Sequence, residues 1–155
     1  WSDQANTSWY ASSESEFALS TPQELAGLSQ LVADGTDFTD KTITLANDID
    51  LNGQWWTPIG SAMDSAFSGT LDGNYHSIRN LWVDIGTSNF AGLFGVCAEA
   101  SIINIRMDTA YVVGYTDVGT LVGGSYQSVI ENCHIDFSHV ISGGYNAGGL
   151  VGNAQ

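Results

Sequence analysis

Apolar side chains follow two rhythms along this chain. The helical rhythm occurs once, in "STPQELAGLSQLVADG" at residues 20–35, where Leu25, Leu28, Leu31 and Val32 share one face. Thr21 and Glu24 stand three apart as a capping box, Pro22 takes the first helical position, and Gly35 supplies the stop. The spacing predicts a helix over 22–34. Elsewhere the rhythm is two. Phe17 and Leu19 mark a short strand before the helix, and "TITLANDIDLNG" at 42–53 points Ile43, Leu45, Ile49 and Leu51 one way and Asp48, Asp50 and Asn52 the other. Residues 1–16, Ser-rich with Trp1, Trp9 and Tyr10, read as an N-terminal arm.

The second half of the chain repeats itself. "NFAGLFG" at 89–95 returns as "DVGTLVG" at 117–123 and "NAGGLVG" at 146–152. Stacked on their closing glycines Gly95, Gly123 and Gly152, the copies align Leu93, Leu121 and Leu150, preceded by an Asx column of Asn89, Asp117 and Asn146. A second phrase precedes each copy: "IRNLWVD" at 78–84, "IINIRMD" at 102–108 and "IENCHID" at 130–136. It aligns Asn80, Asn104 and Asn132, and places Trp82 in one outward column with Arg106 and His134. Units of this length that cannot bury their own apolar face are the mark of a repeat architecture.

Each unit reads as two or three short strands joined at corners, with the glycines supplying positive φ there. Stacked units pair each strand with its equivalent in the next. The predicted fold is all-β: a right-handed parallel β-solenoid over 17–155, with coils at 42–155 and the helix capping the first. In that geometry the recurring Asn side chains either stack as a ladder or cap their own turns.

The Gly-Leu-x-Gly phrase and its upstream Ile-x-Asn-Cys resemble the GLUG motif of bacterial cell-surface proteins. "ITLANDIDLNGQWWTPIGS" followed by "FSGTLDGNYHSIRNL" is similar to the segment leading into such repeats. The resemblance implies a structural repeat region, of the kind found in adhesins and in the non-catalytic part of immunoglobulin A metallopeptidases. No His-Glu-x-x-His zinc motif is present.

Composition narrows the partners. Seventeen acidic residues face only Lys41, Arg79 and Arg106, for a net charge of −14. Too few cations are present to displace counterions from nucleic acid, and an anionic membrane surface repels such a chain. No apolar run reaches the ~20 residues that span a bilayer. The first residue is Trp1 rather than Met, so the expectation is a processed or excised, extracellular chain. Cys97 and Cys133 read equally as a disulfide or as two buried thiols.

Candidate chemistry is thin. Asp48, Asp50 and Asn52, followed by Gly53, match the first half of a calcium loop, but Ile59 stands at the twelfth position where Glu is needed. The wet face of a strand explains the same alternation, so no cofactor is expected beyond calcium at that one place. Asp34, Asp37 and Asp40 form a second acidic group. No carboxylate pair, histidine cluster or nucleophile elbow is singled out, and no enzyme is expected. Trp55 and Trp56, being adjacent on a strand, face opposite ways. With Trp82 they are candidates for contacting a glycan or a host protein, or else for sealing the fold.

The last repeat ends at Gly152 with nothing that reads as a cap. The function expected is therefore a secreted or surface structural or adhesive module. It assembles end to end, as a filament or within a longer repeat array. The alternative is a glycan- or protein-binding module using its aromatics, and behind it a polysaccharide-active enzyme.

Overall fold

The computed structural model describes residues 1–155, and strands dominate it. The one α-helix, α1 (Pro22–Ala33), starts on the capping box: Thr21 Oγ1 accepts from the Glu24 amide at 3.2 Å, and Glu24 Oε2 accepts from the Thr21 amide at 3.1 Å. Both bonds satisfy donors that a helix start leaves open. Asp34, expected as the last helical residue, is the C-cap instead.

In chain order the first strands are β1 (Glu16–Leu19), β2 (Thr42–Leu45), β3 (Ile49–Asp50), β4 (Thr70–Asp72) and β5 (Ser77–Asp84). Next come β6 (Phe94–Ala98), β7 (Ser101–Ile103), β8 (Arg106–Gly114), β9 (Val118–Gly119) and β10 (Val122–Tyr126). The last are β11 (Val129–Glu131), β12 (His134–Ile135), β13 (Ser138–Ser142), β14 (Ala147–Gly148) and β15 (Val151–Ala154). Every pairing among them is parallel. One sheet runs β1-β2-β4-β7-β11, a second runs β3-β5-β8 and ends on β12 and β13, a third runs β6-β10-β15, and β9 pairs with β14. Partners lie about 28 residues apart, the length of one repeat.

Register carries the core. In the first sheet Phe17, Ile43, Leu71, Ile102 and Ile130 are successive partners. In the second, Ile49, Ile78, Met107 and Ile135 follow one another, and in the third Phe94, Val122 and Val151 do. Leu93, Leu121 and Leu150 stack one residue earlier: the Leu93 amide donates to the Thr120 carbonyl, and that of Leu121 to the Leu150 carbonyl at 3.0 Å. Most of these side chains belong to one cluster of 31 buried residues, and Ile130, Ile135, Leu150 and Val151 pack half-buried at its margin.

The helix and the arm cover the β1 end of that core. Leu25, Leu28 and Val32 are buried in it, and Ser29 Oγ donates to the Thr57 carbonyl at 3.0 Å. Residues 1–16 lie against the body. Trp1 Nε1 donates to the Leu51 carbonyl, Trp9 Nε1 to the Glu24 carbonyl, and the Asn6 amide to the Gln23 carbonyl. Lys41, the only lysine, ties the arm down by donating to the Ser12 and Glu14 carbonyls at 3.0 and 2.7 Å, with its ammonium near the Tyr10 and Phe17 rings.

Two expectations are corrected. First, the closing glycines do not provide positive φ. That conformation falls mainly on other residues, among them Asn52, Asn74, Asn80, Phe90, Asn104, Thr109, Asp117, Asn132 and Asn146. Gly95, Gly123 and Gly152 are needed for close approach: a methyl on Gly123 would sit 2.8 Å from the Gly95 carbonyl and 2.6 Å from that of Asp117. Second, the Asx column is out of step at its first member. Ala91 pairs with Val118, so Phe90 and not Asn89 lies beside Asp117 and takes the left-handed position, with φ of 66°.

Backbone on both sides leaves Gly123 no room to relax, whereas a methyl at Gly149 meets nothing within 4 Å. Gly123→Ala is therefore expected to cost about 3 kcal/mol or more, and Gly149→Ala no more than about 0.5 kcal/mol, by urea unfolding. Equal effects would show that the stack tolerates separation at the glycine column.

Candidate functional site

Three outward columns run side by side across the second sheet, and between them they hold most of the singled-out polar and aromatic residues. The first is charged: Asp50 pairs in register with Arg79, and Arg79 with Asp108. Arg79 Nε donates to Asp50 Oδ2 at 3.1 Å, and Arg106 forms an ion pair with Asp136 nearby.

The second column bulges. Asn80 and Thr109 interrupt β5 and β8 with φ of 57° and 59°, and Asn52 at the end of β3 has 54°. A left-handed residue inside a strand adds local bend and lifts its side chain out of the pleat. The Gly53 amide reaches the Asn80 carbonyl, which places the Asn52 turn beside the Asn80 bulge.

The third column is aromatic. Trp55 bridges to Trp82, Trp82 pairs with Tyr111, and Tyr111 pairs with His139. The Trp82 and Tyr111 rings lie 5.4 Å apart, and the Tyr111 and His139 rings stack at 5.5 Å with an 11° angle. Trp55, Trp82 and Tyr111 are exposed by 60, 45 and 37%. Between the second and third columns runs a shallow groove of about 350 Å³, touched by Asn52, Asn80, Trp82, Thr109 and Tyr111.

Several sequence candidates land elsewhere. Trp56 is fully buried and donates Nε1–H to the Leu93 carbonyl at 3.0 Å, so it belongs to the core. Trp82 does not share a column with Arg106 and His134: Arg106 pairs with Ser77, and His134 with Arg106. Nor does Asn80 stack with Asn104 and Asn132. Asn132 Nδ2 donates to Asn104 Oδ1 at 3.2 Å and Asn104 Nδ2 to Asp72 Oδ1 at 2.9 Å, a ladder at the end of the first sheet. Asn80 instead donates to Asp50 Oδ1 at 2.8 Å. An Asp-to-Asn step recurs at a third place, where Asn146 Nδ2 donates to Asp117 Oδ1 at 2.7 Å.

Of the calcium candidates, Asp48 and Asp50 already accept hydrogen bonds through their carboxylates, while Asn52 contributes only its backbone amide. Asp50 Oδ1 takes both Asn80 Nδ2–H and the Asn52 amide, and Asp48 Oδ1 takes the Ser77 amide at 2.9 Å and lies 3.2 Å from His76 Nδ1. A cation would have to break these bonds to reach the same oxygens, and no three His, Cys, Asp or Glu side chains converge as a metal cluster. Asp34 and Asp37 likewise accept from Gln30 Nε2 and the Thr39 amide. Cys97 and Cys133 are free thiols, Cys97 buried and Cys133 half-buried, and burial pushes both up. No helix is long and apolar enough to cross a membrane.

Tyr111 and His139 were missed as partners of Trp82. Their signal was present, since each stands one repeat further along the chain.

No family model matches this chain, and no solved structure does. It is similar to halomucin of Haloquadratum walsbyi, 36% identical over an alignment of 144 residues that covers 85% of this chain and 2% of that protein. It is also 28% identical over 142 residues to a protein of Evansella cellulosilytica named as a Gly-rich membrane protein, covering 86% of this chain and 16% of that one. The chain thus spans a small part of the length of either relative.

The hydrogen bond from Asn80, with help from the Asn52 amide and Arg79, holds the Asp50 carboxyl below the usual carboxylate range. The Ser77 amide does the same for Asp48. Because the folded values are depressed, the stability these bonds contribute is present above the ordinary carboxylate pKa near 3.9 and is lost as pH falls through the lower folded values. In a carboxyl NMR titration both side chains should show midpoints below the ordinary carboxylate value. Asn80→Ala should raise that of Asp50 and leave Asp48 where it was. A common shift of both would contradict the separate bonding.

Proposed function

We propose that this chain is a non-catalytic structural module of a secreted or cell-surface protein, a right-handed parallel β-solenoid that continues end to end into further coils. The names of two relatives, halomucin and a Gly-rich membrane protein, support the surface setting. Parallel pairing at a constant repeat supports the solenoid, as do the GLUG-like phrases that close each unit. The carboxylates nearest to a calcium or catalytic arrangement serve as hydrogen-bond acceptors within the sheet, which favours a structural role for them.

One observation carries the end-to-end reading: the two ends of the stack differ. Toward β1 the core lies under α1 and the arm. In the last layer Ile130, Ile135, Val140, Leu150 and Val151 are only half-buried, whereas their partners Ile102, Met107, Val112, Leu121 and Val122 are sealed. The strands β11, β13 and β15 each pair on one side alone. Such an edge templates another strand of the same kind. The helix at the other end obstructs head-to-tail stacking of identical copies, so the natural occupant is a further coil of the same repeat in a longer array, and a plain filament of this unit is disfavoured.

A chain extended after Gln155 by a second copy of residues 128–155 tests this. The added layer should raise the Tm by several degrees and slow amide exchange in β13 and β15 toward the rates of β8 and β10, as nearest-neighbour coupling in a repeat array requires. An extension that stays unfolded and leaves β13 and β15 unprotected would count against continuation at this end.

A further inference from the structure

We propose that the groove between the bulge column and the aromatic column binds a segment of neutral polysaccharide laid along the stacking direction. The first support is periodicity. Trp55, Trp82 and Tyr111 are exposed in three consecutive layers, and parallel strands step by about 4.8 Å, so the face presents a ring at each step. A polymer of ring-shaped units can meet such a row repeatedly, and an isolated small molecule can use only one step of it.

The second support is unspent hydrogen-bonding capacity beside the rings. The Asn52 side chain makes no bond within the protein, and Asn80 uses its Nδ2 on Asp50 while its Oδ1 has no protein donor. Planar amides next to aromatic rings match a sugar, which offers C–H faces to a ring and hydroxyls to donors and acceptors at its rim. The left-handed backbone at Asn52, Asn80 and Thr109 is what lifts these groups out of the sheet. Bulges of this kind re-aim side chains at binding sites.

Charge selects the class of glycan. The groove itself is lined by neutral groups, and the neighbouring Arg79 is already engaged by Asp50. A chain carrying −14 repels uronate or sulfated polymers, so the ligand is uncharged. A protein partner fits less well. A stable protein interface needs a broad apolar centre, whereas here a single file of rings is flanked by polar and charged columns.

The test uses the full 155-residue chain with cellohexaose, xylohexaose and mannohexaose as neutral probes and polygalacturonate as the anionic control. Tryptophan fluorescence and calorimetry read binding. At least one neutral hexasaccharide should bind in the micromolar to millimolar range, more tightly than its own disaccharide. Trp82→Ala should weaken it by about tenfold, and Trp82→Phe should restore part of that loss. Should Trp82→Ala fail to fold, Trp55→Ala reads the same column at its most exposed ring, which makes no contact with another ring. The proposal is overturned if no neutral hexasaccharide binds at about 10 mM, if affinity does not grow with chain length, if neither tryptophan variant changes it, or if polygalacturonate binds more tightly. None of these outcomes depends on what covers the last layer.

Discussion

Close parallel stacking of one repeat upon the next is the constraint on which the rest of this structure depends. Adjacent parallel strands sit about 4.8 Å apart, so each inward side chain must be matched to the one directly above it. The columns from Phe17 to Ile130 and from Ile49 to Ile135 satisfy that demand with aromatic, aliphatic and Met side chains. Where backbone rather than side chain must pass, only glycine serves, as at Gly95, Gly123 and Gly152. A single slip of register would turn the apolar set outward, so the same columns that bury surface also define the pairing.

Stacking also organises the polar groups. The left-handed positions recur at neighbouring places in successive layers, beginning with Asn52, Asn80 and Thr109, then Asn74, Asn104 and Asn132, and finally Phe90, Asp117 and Asn146. Asn tolerates that backbone better than most residues, and its side-chain amide can donate a hydrogen bond to the layer beneath. The recurring result is an Asn above an Asp: Asn80 on Asp50, Asn104 on Asp72, Asn146 on Asp117. An Asp in the lower layer accepts from its own turn and from the next layer at once, as Asp50 does from the Asn52 amide and Asn80. Asp50, read from the sequence as a calcium candidate, is the acceptor in one of these steps.

Much of the architecture was legible in the sequence because the controlling signals are local and periodic. The capping box at Thr21 and Glu24, the alternation of Ile43 to Leu51 and the recurrence of Leu93, Leu121 and Leu150 each follow from one short pattern. The errors came from insertions. Two copies of the Ile-x-Asn phrase span the corner between the first and second sheets, at β7–β8 and β11–β12, whereas "IRNLWVD" lies entirely on β5. Matching letters across that difference put Asn80 under Asn104 and Trp82 with Arg106. The step of 24 residues from Asn80 to Asn104, against 28 from Asn104 to Asn132, was the sign of a false equivalence. Trp55 and Trp56 could not be told apart by sequence either, since alternation says that they differ without saying which one faces the core.

The division between inward and outward columns bears on where function can reside. An inward residue answers to neighbours above and below, so a change at Met107 or Val122 is felt in three layers. An outward residue at Trp82 or Thr109 answers to solvent and to one partner on each side. Outward columns can therefore change chemistry while the stack persists, and a row of rings beside amides can be assembled one layer at a time. The face of the second sheet unites exposed rings, lifted amides and an uncharged groove, a conjunction that the sealed interior neither requires nor explains. A surface feature repeated at the spacing of the strands matches a ligand repeated at a similar spacing, and that periodicity is the reason the proposed ligand is a polymer.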